Sequence, residues 1–236
     1  GFFIMLWLAL SCVLGYQQDG ELTTLSIEQT RAAHYFYYDK AIQSSIRIVS
    51  LDKDGQRAGH ASGNYFKIGQ HKFIISAAHI IEEGFENVVY DYHNEVRIHL
   101  VALDADNDIA IFVPEKNLKS IRAVDYRTNK ELDLTGEIVV HAGFPADLDK
   151  SVFHGSVASC GISNLMMQSY ALPGSSGSVV FDNKGSVVGV LSAIKMGVHD
   201  HSPFPQLHAG LVYVNRLRQF DRYMLEELIV QWKSLK

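Results

Sequence analysis

From about residue 43 onward, short apolar runs alternate with turn residues. The first set is SIRIVSL, GNYFKIG, HKFIISAAHII, NVVYDY, EVRIHLVALD and DIAIFVP. A polar stretch, EKNLKSIRAVDYRTNKELDL, interrupts it. A second set follows: GEIVVHAGFP, SVFHGSVASCGI, SVVFDNKGSVVGVLSAI and AGLVYVN. Short runs rich in Val, Ile, Phe and Tyr at hairpin spacing predict antiparallel strands, and many of them predict an all-β barrel or sandwich. Two sets predict two such units, over 43–114 and 136–213, joined by a linker at 115–135. Helical signals lie at the two ends. SIEQTRAAHYFYYDKAI carries Ser26 with Gln29 three residues on, a capping-box pattern that predicts a helix over 27–41 within an extension at 16–42. Near the C-terminus, Leu217, Phe220, Met224, Leu225, Leu228, Ile229 and Trp232 recur at helical spacing. They predict an amphipathic closing helix within 214–236 that packs on a barrel.

The first fifteen residues, GFFIMLWLALSCVLG, follow neither pattern. They are almost wholly apolar, yet shorter than the roughly 20 residues that span a bilayer. This is the hydrophobic region of a secretory signal, with cleavage expected after Gly15, or else an uncleaved anchor. The positive flank is missing and the sequence does not open with Met, which suggests that the true start lies upstream. Ala9-Leu10-Ser11 before Cys12 is a poor match to a lipoprotein box. The expectation is export, to the periplasm or beyond, with membrane contact only through this segment. If Cys12 is removed, Cys160 has no partner for an internal disulfide, so the exported chain must rest on its core. Cys160 itself, in SVASCGI, reads as a small buried hydrophobe.

Composition narrows the function. Hydrophobic residues make up 47% and charged residues 20%, a globular balance. The net charge is −5 and no Lys/Arg cluster occurs, which argues against nucleic acid as a partner.

Chemistry enters with LPGSSGSVVF, residues 172–181. A Gly/Ser linker should join polar flanks, but these flanks are apolar. Downstream, Ser178–Phe181 and Ser186–Ser192 are joined by Asp182-Asn183-Lys184-Gly185, which is hairpin chemistry. GSSGS therefore reads as a tight turn that presents a serine. A serine needs a base, and the base needs a group to hold its tautomer. His79 ends the strand-like FIISAAH, where small Ala77 and Ala78 permit close packing. Asp108 directly precedes the apolar Ile-Ala-Ile-Phe, and is the carboxylate of DADNDIAIF most drawn inward; Asp104 and Asp106 suit a solvated turn.

These three stretches, SAAH, DNDIAIF and GSSGS, resemble the His, Asp and Ser motifs of the trypsin-like (chymotrypsin-fold) serine proteases, in that family's chain order. AGFPADLDKSVFHGSVASCGI followed by LPGSSGSVVFDNKGSVVGVLSA resembles more closely the protease domain of the HtrA/Deg group. The resemblance covers about 45–222. It implies two six-stranded antiparallel β-barrels within a protease domain at 43–236. It implies Ser176 as nucleophile, His79 as general base, Asp108 as its orienter, and the N–H groups of Gly174 and Ser176 as oxyanion hole. Ser178 departs from the glycine usual at its position. Tyr170, six before the nucleophile, is expected at the base of the specificity pocket, and Ser192-Ala193-Ile194 as the strand that pairs with substrate. Without an acidic residue at 170 and with bulky Ile194, small or medium aliphatic side chains are the expected preference. The resemblance further implies a trimer and, in most members, a PDZ module, which the residues after the closing helix do not supply.

No cofactor is expected. His199, His201 and His208 lie in a loop without a completing Cys or Glu, so no metal is expected either. His60 and His154 read as structural or exposed. The leading reading is a serine endopeptidase acting on unfolded or extended polypeptide in envelope quality control. The alternatives are a catalytically silent protease-fold binding module, and a single-target processing protease of phage or viral origin. An α/β-hydrolase esterase fits worst, since it needs alternating helices and strands and Ser before His.

Overall fold

The computed structural model describes residues 37–197 and 206–235, with the backbone alone at 193–197 and 206–209. The expected signal segment at 1–15 and the loop histidines at 199 and 201 lie outside the described residues.

The fold is all-β. The first barrel is built from β1 (Ser45–Leu51), β2 (Arg57–Ile68), β3 (His71–Ser76), β4 (Glu86–Asp91), β5 (Asn94–Asp104) and β6 (Ile109–Pro114). Its strand order is β1-β4-β5-β6-β3-β2, and β2 pairs back on β1 to close it. Closure removes the exposed strand edges that would otherwise seek a partner. A two-residue strand, β7 (Val124–Asp125), adds in parallel to β2. The second barrel comprises β8 (Ile138–Gly143), β9 (Ser151–Cys160), β10 (Asn164–Gln168), β11 (Val179–Asp182), β12 (Val187–Gly197) and β13 (Gln206–Arg216). It closes in the order β10-β13-β12-β11-β8-β9. Local chemistry explains the β11–β12 turn. The Asp182 carboxylate accepts the Lys184 and Ser186 amides at 2.8 Å each, and Gly185 takes the left-handed φ of 71° the turn needs.

A large apolar cluster fills the first barrel and runs across the seam between the barrels. Phe66 lies edge-on to Tyr126 at 5.4 Å and close to Phe73 at 5.8 Å and Phe181 of β11 at 5.9 Å. Burying such a ring stabilises by about 2–3 kcal/mol, so the cluster sets how the barrels meet. The second barrel has a smaller aliphatic core of Val139, Val157, Leu165, Met167, Val180, Leu191, Val212 and Val214 among others.

Helix α1 is described over 37–44 and so runs past the expected end at 41. The closing helix α2 spans Arg222–Ser234 rather than starting near 214. Strand β13 continues to Arg216, and Leu217 and Phe220 are buried before the helix begins. Asp221 sets the start, because its carboxylate accepts the Met224 amide at 2.9 Å as an N-cap. Leu225 and Ile229, one turn apart, are the buried face, while Met224 is exposed. Cys160 is half-buried rather than a core residue, and its Sγ lies 3.2 Å from Arg216 Nη1. Arg216 is wholly buried; its guanidinium donates to the carbonyls of Glu131, Leu132 and Gly161. No described helix is long and apolar enough to cross a membrane.

Candidate active site

The site lies where the two barrels face each other. His79 sits in a 3-10 turn, Ala78–Ile80, just past the end of β3. Ala77 and Ala78 are buried, so the turn is pressed onto the barrel with its histidine facing out. Asp108 stands one residue before β6, at a left-handed φ of 53°. That conformation costs a non-glycine residue about 1–3 kcal/mol, and here it turns the carboxylate onto His79. Asp108 Oδ1 accepts the His79 backbone N–H at 2.8 Å, and Oδ2 lies 2.8 Å from Nδ1 of the ring. Nδ1 therefore carries the proton, leaving Nε2 free to act as a base in the neutral ring. Ser192 Oγ of β12 donates to the same Oδ2.

The electrostatics follow. The hydrogen bond to Asp108 raises the His79 pKa above its usual value; burial opposes this, and the charge of Asp108 adds to it. Burial pushes the Asp108 carboxyl up, but hydrogen bonds from the His79 ring, Ser192 and the His79 amide outweigh it and hold the group low. Asp108 is thus charged at neutral pH and is met by donors from both barrels.

The GSSGS turn supplies the other half. Gly174 and Gly177 have φ of 93° and 87°. Neither has room for a side chain. A Cβ on Gly177 would collide with Ser62 O and Ser76 Oγ, and one on Gly174 with His60 and the Phe144 carbonyl. Both glycines are required by φ and by close approach together. Buried Ser62 of β2 fastens the turn through its N–H and its hydroxyl. Its N–H donates to Ser176 O at 2.9 Å and its Oγ to Gly174 O at 2.7 Å. Its Oγ accepts the Phe144 N–H at 2.9 Å, and its carbonyl accepts from Ser76 Oγ at 2.7 Å.

Among the described residues, the N–H groups of Gly174 and Ser176 meet no acceptor. The Pro173 carbonyl accepts the Ala146 N–H at 2.6 Å. Among the described residues no peptide bond is cis, so the Gly174 N–H points away from that carbonyl. The Ser176 hydroxyl donates to the Ser192 carbonyl at 3.2 Å rather than to His79. His79, Ser176 and Gly174 nonetheless line one cavity of about 530 Å³, together with His60, Phe85 and Pro173.

The sequence-predicted residues His79, Asp108, Ser176, Gly174 and Ser192 are thus brought together. Tyr170 is not. The residue is 74% exposed and does not line the cavity that His79 and Ser176 share. The reason is alternation of the chain. Ser169 and Ala171 turn inward, with the Ser169 amide donating to Gly210 O at 3.0 Å, and Tyr170 between them faces out. The backbone of Ala193 and Ile194 continues β12 and pairs with Tyr213 and Val212. Sequence reasoning missed Ser62 as a fastener and the Ser192 hydroxyl as a partner of Asp108. Nothing local marks either residue; their partners lie on the opposite barrel.

Two barrels with a histidine–aspartate pair on one and a glycine-framed serine turn on the other have the architecture of a trypsin-like peptidase domain. Residues 61–190 match the family model of the trypsin-like peptidase domain, and the chain belongs to that family. It is 29% identical over 151 residues to a probable periplasmic serine endoprotease, DegP-like, of Pseudomonas putida, covering 60% of this chain and 31% of that protein. A protein of the same name from Bartonella henselae is 31% identical over 166 residues, covering 66% of this chain and 31% of its own length. The chain therefore matches less than a third of the length of these relatives. Among solved structures, the serine endoprotease from Yersinia pestis superposes with a TM-score of 0.62 at 16% identity, covering 83% of this chain and 66% of that one.

Proposed function

We propose that this chain is a serine endopeptidase with Ser176 as nucleophile, His79 as general base and Asp108 as the group that orients and charges the histidine. The observation that carries this reading is the bond from His79 Nδ1 to Asp108 Oδ2, 2.8 Å, beside the Ser176 turn. It leaves Nε2 as the atom that takes the serine proton. Rotation about one side-chain torsion moves the Ser176 hydroxyl from the Ser192 carbonyl toward that nitrogen. Oγ then attacks the scissile carbonyl, and the oxyanion is received by the Gly174 and Ser176 amides, donors worth about 3 kcal/mol each in such sites. His79 passes its proton to the leaving amine, and a water activated by the same nitrogen releases the acyl group.

The substrate is an extended or unfolded polypeptide, because pairing along 192–194 requires a free strand. The names of the relatives given above support action in the periplasm, with 1–15 as export signal and 43–236 as protease domain. The test is incubation of wild-type and Ser176→Ala protein with unfolded casein, followed by gel. Cleavage by the wild type alone is expected. Cleavage by both assigns the wrong serine, and cleavage by neither favours a binding module.

A further inference from the structure

One histidine of the cleft has no part in the proton transfers above. His60, near the start of β2, keeps only 10% of its side chain exposed. Its Nε2 lies 2.9 Å from the Phe144 carbonyl, so that nitrogen carries a hydrogen and donates it. Nδ1 faces the Arg57–Asp147 pair, with Arg57 Nη2 at 3.1 Å and Asp147 Oδ1 at 3.3 Å. Arg57 also pairs with Asp147. The ring lies over the α-carbon of Gly174, where it would collide with any Cβ.

What His60 holds is the Phe144–Leu148 loop between β8 and β9. Ala146 and Asp147 in it have φ of 48° and 61°, a left-handed conformation that aspartate visits more readily than alanine, which populates it sparsely. External contacts impose it. Arg47 donates to the Leu148 carbonyl at 2.5 Å and lies over the Phe144 ring at 4.9 Å. Ser62 Oγ takes the Phe144 amide. His60 and Arg57 act on Phe144 and Asp147 from β2. The strained turn then aims the Ala146 N–H at the Pro173 carbonyl, 2.6 Å away. That bond decides which way the Pro173–Gly174 peptide faces.

We propose that His60 is a positioning residue for the oxyanion hole. From the first barrel it holds the 144–148 loop in its strained form, and the loop holds the Gly174 amide toward the substrate carbonyl. Arg57 and Asp147 are its auxiliaries. Their pair is exposed and contributes less than the buried histidine. Without the latch, the Pro173–Gly174 peptide turns over and its carbonyl enters the hole. The inference rests on the protease reading, but its predictions differ from those of a triad member.

The experiment compares wild type, His60→Ala, His60→Gln and Asp147→Ala on one peptide substrate. A matched peptide boronate, which places a charged oxygen in the hole, is bound alongside the uncharged product peptide. His60→Ala is expected to lower kcat about 30-fold at nearly constant KM, less than the roughly 10²–10³ that loss of a whole oxyanion donor costs, since the donor itself remains. Boronate affinity should fall by a similar factor and product affinity should not. His60→Gln, whose amide can still donate to Phe144 O, should recover most of the loss, and Asp147→Ala should lose about threefold. Unchanged kcat in His60→Ala, or equal losses of boronate and product affinity, would overturn the proposal. Wild type that does not react with a fluorophosphonate at Ser176 overturns the protease reading instead. A crystal structure of His60→Ala then judges the latch alone, since an unturned Pro173–Gly174 peptide refutes it.

Discussion

The two barrels share a topology and are held together by different means. The first is filled by large rings, and its two site residues stand at the ends of strands leaving that dry core. Its geometry is set by volume. The second has a smaller aliphatic core and buries His141, Ser169, Ser178 and Arg216, while the first buries Ser45, Ser62, Asn64, Ser76 and Asp91 beside its rings. It must hold a loop and a turn whose backbone amides face outward, and those shapes are set by hydrogen bonds. A base and an acid need fixed distance, which packing supplies. An oxyanion site needs fixed peptide orientation, which packing alone does not supply.

The largest effect that sharpens this contrast falls on the first barrel's chemistry. Asp108→Asn preserves volume, yet should lower kcat by about 10⁴, because the amide holds His79 in the wrong tautomer. Asp108 raises the His79 pKa, so the acidic limb of the wild-type activity profile should lie above the usual histidine value, and the residual activity of the variant should titrate lower. A residual profile with an unmoved limb would show that Asp108 does not set the base. Next comes packing. Phe66→Ala should cost about 3–5 kcal/mol in denaturant unfolding, since the ring sits among Phe73, Tyr126 and Phe181. A loss near 1 kcal/mol would mean that volume does not govern the first barrel.

The second barrel should respond to polarity. Arg216→Met roughly preserves volume but leaves the Glu131, Leu132 and Gly161 carbonyls without their donor. The expected cost is about 2–3 kcal/mol, and a neutral outcome would erase the contrast. His141 adds a pH signature. Burial holds its pKa down to about 4, against about 6.5 in the unfolded chain. Below pH 6.5 the unfolded chain takes a proton that the folded chain refuses. This stability is therefore complete above that value and lost as pH falls toward 4. Between pH 7 and 5 the loss should be about 2 kcal/mol, and His141→Leu should flatten it. Equal slopes in wild type and variant would remove His141 from the account.

Much of the fold was legible in the chain. Short continuous apolar runs such as Phe73–Ile75 and Ile109–Phe112, bounded by polar and turn residues, suit strands buried on both faces. The Asp182–Gly185 turn is specified by side-chain and φ chemistry within four residues. The pairing of His79 with Asp108 was foreseeable because each residue stands at a strand end and the strands β3 and β6 are neighbours. The exposure of Tyr170 was not, since six residues of spacing say nothing about which way a loop residue turns. The start of α2 was misjudged because Leu217 and Phe220 mimic helical periodicity while being buried by a strand end and a turn.

Sequence alone determined the local elements, the glycines at 174 and 177 and the order of the reactive residues, since each depends on near neighbours along the chain. Tertiary structure decided which amides face the cleft. Ser62 grips Gly174 from 112 residues away, and His60 grips Phe144 from 84. Hydrogen bonds of that span depend on how two closed barrels meet, and no pattern in either stretch records it.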